Sequence, residues 1–127
     1  ERYIGEVGSG YWLCSFVSAG TLGEIMCIFP EVYNLDDFSE KHIKDLTKGI
    51  MKVFTYYSEN EIYSFNGSLF FGPKGQNYFS AHFRLVARTY LNSLHLPADF
   101  FYIQVLLKDP VCAVYPEEVA KKLRNYF

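Results

Sequence analysis

The most regular alternation of apolar and polar residues in the chain lies between Tyr78 and Arg88. The even positions are Tyr78, Ser80, His82, Arg84, Val86 and Arg88, and the odd ones are Phe79, Ala81, Phe83, Leu85 and Ala87. A strand sends successive side chains to opposite faces, so the odd set is expected to pack on a core while the even set lines a polar face. Shorter apolar runs bounded by turn residues predict the other strands. "YWLCSFVS" (11–18) and "EIMCIFP" (24–30) read as a hairpin joined by "AGTLG", after a glycine-rich opening, "GEVGSG". "EIYSFNGSLFFG" (61–72) predicts a third strand, "PKGQN" a turn, and "YFSAHFRLVAR" (78–88) the fourth, which together form a second hairpin. "TYLNSLHLPAD" is irregular, "FFYIQVLL" (100–107) reads as a fifth strand, and "KDP" is a turn.

The period changes between the two hairpins. In residues 34–60 the apolar positions Ile43, Leu46, Ile50, Val53 and Tyr57 recur at helical spacing, with Asn34, Asp36 or Ser39 to cap the start and Asn60 to close the end. A second helix is expected over "PEEVAKKLRNYF". Pro116 sits where a missing N–H costs nothing, Glu117 and Glu118 occupy the first turn, and Lys121, Lys122 and Arg124 come later, all favoured by the helix dipole. Most connections are too short for parallel crossovers. An α+β domain follows, with an antiparallel sheet of about five strands, one long helix after the first hairpin and a C-terminal helix.

At 127 residues the chain is long enough for one core and short for two, so residues 1–127 are read as a single domain. Half of the residues are hydrophobic and 19% aromatic, which excludes a disordered chain and leaves rings to spare for a partner surface. The net charge of -2 provides no broad cationic field, so no nucleic-acid or anionic-membrane partner is expected. Cys14, Cys27 and Cys112 are odd in number and set among apolar neighbours, as buried thiols in a reducing compartment would be. No cysteine or histidine spacing calls for a metal, and no cofactor is expected. The longest apolar stretch is too short to cross a bilayer, and no signal peptide is visible. A cytoplasmic protein is therefore expected, with an opening Glu1 that leaves room for natural sequence upstream.

"FNGSLFFGPKGQNYFSAHFRLVAR" resembles the histidine triad superfamily, whose pattern is an Asn on one strand, a Gly-Gln turn, and His-x-His-x-His-x-x-Pro-Arg on the next. Asn66 fits the Asn, and Gly75 and Gln76 fit the turn. Ser80 falls on the first histidine, His82 on the middle one, Arg84 on the third, Ala87 on the proline and Arg88 on the arginine. "YPEEVAKKLRNYF" resembles the ending of galactose-1-phosphate uridylyltransferases, which carry two such halves. The placement this implies is the second half of a transferase of that type, possessing a degenerate triad.

The resemblance implies a nucleotide-sugar or sugar-phosphate ligand, His82 at the position of the nucleophile that attacks an α-phosphorus, and Asn66, Gln76, Ser80, Arg84 and Arg88 around the ligand. Neutral imidazole is a competent nucleophile, a nearby Arg84 would favour that neutral form, and Arg84 and Arg88 can fork onto phosphate oxygens. Arginine does not titrate near neutrality and serine alone relays no proton, so catalysis is expected to need a homodimeric partner or an N-terminal half. The alternatives are a nucleotide hydrolase or transferase working through His82, and a non-catalytic dimerisation or interaction module. The plain reading of Ser80, His82, Arg84 and Arg88 is the solvated face of an antiparallel strand. His42 reads as the wet side of a helix, His95 as a weaker loop candidate, Lys74 as a turn tip and Asp99 as a turn residue.

Overall fold

The computed structural model describes residues 1–15, 23–87 and 114–127. Five strands, β1 (Tyr3–Val7), β2 (Gly10–Cys14), β3 (Glu24–Ile28), β4 (Phe65–Phe70) and β5 (His82–Ala87), form one antiparallel sheet in the order β1-β2-β3-β5-β4. Helix α1 (Glu40–Glu59) follows β3, and α2 (Pro116–Leu123) closes the chain. The domain is α+β, as the pattern predicts. The expected strand at 100–107 and the irregular stretch before it lie outside the described residues.

Among the described residues, the sheet gains one strand that the pattern does not predict. β1 lies in the stretch read as a glycine-rich opening, because Gly8 and Ser9 make a two-residue turn between Val7 and Gly10. Gly8 takes a φ of 58°, which a turn of this length needs at its first loop position and L side chains rarely adopt.

β5 begins at His82 instead of Tyr78, and β4 ends at Phe70. The backbone explains the longer connection. Gly72 donates to the Tyr33 carbonyl (2.7 Å), Ala81 donates to Val32 (2.6 Å), and Phe29 donates to the Ala81 carbonyl (2.9 Å). Main-chain groups that would extend the hairpin ladder bond to the segment after β3 instead. The inward and outward sets survive: Ala81, Leu85 and Ala87 are buried, and Phe83 packs against the core.

The predicted long helix is two pieces. Asn34 caps a 3-10 turn over Leu35–Asp37, and Ser39 caps α1. Leu46, Val53 and Tyr57 face the core as expected, while Ile43 is 52% exposed. The buried stripe instead includes Gly49 and Tyr56. Both helices pack on β1 and β2, and the fully buried Trp12 is the centre of that contact. A Cβ on Gly49 would lie 2.1 Å from the Trp12 ring, so only glycine lets α1 approach this closely. The Phe127 ring packs on Trp12 from the other side, 5.5 Å away between centroids. Among the described residues no helix is long and apolar enough to cross a membrane.

Candidate functional site

Antiparallel pairing sets residues on one face into rows, and the face opposite the helices carries the candidate site. One row runs Phe70, His82, Ile28, Tyr11; the next runs Ser68, Arg84, Met26, Leu13; a third contains Asn66, Val86 and Glu24. The strand register therefore brings His82 and Arg84 to adjacent positions of one face, as expected.

His82 is half-buried, and its Nδ1 lies 3.0 Å from the Ser80 carbonyl oxygen. A carbonyl only accepts, so Nδ1 carries the proton, and in the neutral ring the lone pair is on Nε2. The ring stacks on Phe70 (5.2 Å between centroids, 19° between planes) and meets Phe79 at 5.1 Å. These two rings and one carbonyl fix both the plane and the tautomer of His82.

Arg84 is held differently. Its Nε donates to Glu24, whose side chain is 5% exposed while that of the arginine is 44% exposed. The guanidinium also lies over the Phe70 ring, 5.8 Å from its centroid. The Glu24 hydrogen bond pushes Arg84 above its ordinary value, so the cation persists at any working pH. A buried carboxylate requires such a partner.

The remaining expected residues are spread out. Ser80 contributes its carbonyl, in place of a side chain on the strand, because it precedes β5. Asn66 shares the face but stands opposite Val86, two rows from His82, which at strand spacing is about 13 Å along the sheet. Gln76 is exposed in the connecting turn, where its N–H bonds to the Pro73 carbonyl. Arg88 and His95 lie outside the described residues. Lys74 pairs with Asp36 at 2.6 Å and ties the turn to the 3-10 segment. His42 departs from its reading as a wet residue: it is half-buried between aromatic rings.

Three contributors had no sequence signal of their own. Glu24 looks like a strand boundary until the register places it diagonally from Arg84, the Ser80 carbonyl is invisible in any side-chain pattern, and Phe70 reads as core. The phase of "EIMCI" against "HFRLVA" is what could have found Glu24, since both strands carry a charge on the same parity as their outward residues.

Two cavities among the described residues lie elsewhere. One of about 190 Å³ opens between the end of α1 and α2, beside Tyr56, Asn60, Glu118 and Lys122. The other, of about 200 Å³, lies beside Asn34, Gly72 and Lys74. Cys14 is a buried free thiol pushed up to about 12 by burial, and Cys27 is raised further by the same cause, so neither is a nucleophile near neutrality. Comparison with protein-family models and with curated proteins finds no match for this chain.

Proposed function

We propose that the His82 face binds the phosphate of a nucleotide-sugar or sugar phosphate, as a histidine-triad-like domain of a hexose-1-phosphate uridylyltransferase-type protein. One observation carries the reading: the Ser80 carbonyl fixes His82 with its proton on Nδ1, which leaves Nε2 as the nitrogen that meets a ligand. Arg84 supplies a permanent positive charge on the same face. Because its Nε is committed to Glu24, it acts as a field and a partial donor, in place of the full fork that the sequence suggested. The domain binds without turning substrate over alone, since neither arginine nor the Ser80 carbonyl can protonate a leaving oxygen. A second subunit or an N-terminal half would supply that group. The buried free thiols suit a reducing compartment, and we place the protein in the cytoplasm.

Titration of the intact protein with UMP or UDP-glucose, followed by NMR, is expected to shift His82 and Arg84 and to leave His42 in place. Millimolar ligand with no movement at His82 overturns the reading.

The fixed tautomer also favours a second reading, in which the Nε2 lone pair attacks the α-phosphorus. A P–N bond forms as the P–O bond to the leaving group breaks, giving a nucleotidyl-histidine. The same titration then yields a covalent adduct, which is lost in His82→Ala.

A further inference from the structure

His42 presents the opposite hydrogen-bond arrangement to His82. The Ser39 backbone N–H points at His42 Nδ1 at 3.0 Å, and the Ser39 hydroxyl oxygen lies 2.9 Å from the same atom. An amide nitrogen only donates, so Nδ1 must be unprotonated and the ring neutral, with its proton on Nε2. His42 thus occupies the place in the first turn of α1 where a capping box ordinarily has Glu or Gln.

The ring is also a packing element. It stacks on Phe38 (5.4 Å, 25°) and takes the edge of Phe29 (5.6 Å, 77°), and Phe38 in turn meets Phe29 and Phe71 at 5.1 and 5.3 Å. Phe29 is the residue whose N–H holds the Ala81 carbonyl, and Val32 and Tyr33 just beyond it hold Ala81 and Gly72. The chain that grips the residue before His82 is therefore pinned, ring by ring, to His42.

We propose that His42 is a proton-operated latch on the start of β5. While the ring is neutral, Nδ1 closes the first turn of α1, and the stacked faces hold Phe38, Phe29 and, through Phe29, the Ala81 backbone. A second proton removes the acceptor, leaves the Ser39 N–H facing a cation, and puts positive charge at a helix N-terminus, where the dipole opposes it. Among the described residues, the ring contacts Phe38 and Ser39 before α1 and Phe29 after β3, all of them uncharged. The neighbouring carboxylates are held by partners of their own: Asp37 by Asn34, Asp36 by Lys74 from the β4–β5 turn, Glu40 by Lys44, and Asp45 by Ser9. Lys41, beside His42 in sequence, is exposed. Acid therefore weakens the latch, and base restores it.

The latch stands whatever ligand the His82 face takes, and its test uses none. Long-range proton–nitrogen NMR of the intact protein is expected to show the His42 proton on Nε2 and the His82 proton on Nδ1 at about pH 8. When acid protonates the His42 ring, the amides of Ser39, Gly72 and Ala81 are expected to move in step with it. His42→Glu, which restores a capping carboxylate, is expected to abolish that movement, and His82→Ala to keep it. A His42 proton on Nδ1 overturns the proposal on the unaltered protein alone. Ala81 following His82, or staying still while His42 titrates, overturns it as well.

Discussion

On the side of the sheet beneath α1 and α2, Trp12 is fully buried against Gly49 and needs no charged partner. On the opposite side, His82 and Arg84 are only partly covered, and each adds to its ring contacts one specific polar partner, the Ser80 carbonyl and the Glu24 carboxylate. The first side is specified by volume, and many small contacts share the work. The second is specified by donor and acceptor pairing, so single atoms matter. On that side a single contact can decide a side chain's orientation.

The comparison can be broken most sharply from the covered side. Gly49→Ala forces a methyl group into the Trp12 ring and is expected to cost about 3 kcal/mol in urea unfolding, the upper part of the range for overpacking. A loss under about 0.5 kcal/mol would mean that α1 can slide, and that volume is not what fixes this face.

Arg84→Ala comes next. It strands the buried Glu24 carboxylate, at an expected cost of about 2 kcal/mol, less than for a fully buried pair because the arginine side is open to water. Adding Glu24→Gln to Arg84→Ala is expected to recover part of that loss in the same unfolding measurement. If it recovers nothing, the pair is not the organising contact of the open side.

The smallest expected effect sharpens the contrast, because the covered side has a polar anchor of its own. Asp45 on α1 accepts from the Ser9 N–H and hydroxyl, at 3.0 and 2.9 Å, and those bonds hold its carboxyl below the usual carboxylate range. A depressed value stabilises the fold above the unfolded carboxyl's titration, near about pH 4, and the benefit disappears as pH falls through the folded value. The stability gap between the protein and Asp45→Asn is therefore expected to be full at neutral pH and to close in acid, as read from urea midpoints across that range.

The sequence carried the architecture where local patterns and tertiary packing agree. Alternation in β5 and the 3.6-residue stripe of α1 placed Leu85, Ala87, Leu46 and Val53 inward, because burying the same faces satisfies both. Misreadings arose where backbone bonds override side-chain pattern. Gly72 and Ala81 leave the hairpin ladder for Tyr33 and Val32, which moves the start of β5 to His82 and makes the Ser80 carbonyl the acceptor that positions His82. Ile43 kept the helical period but not the burial, since the 3-10 turn before Ser39 sets where α1 begins and which way its first turn points. At the site, the parity of His82 and Arg84 was legible. The separation of Asn66 from His82 was not, because that distance depends on register, which a single strand's composition does not encode.

The strand order carries one further consequence. β5 lies between β3 and β4, so residues 82–86 must find residues 24–28 across the whole length of α1. The β1–β2–β3 meander and α1 join neighbours along the chain and can assemble early, whereas this closure pays a loop entropy first. The face that carries His82 is thus the costliest part of the sheet to close, because its strands are joined by the longest stretch of chain.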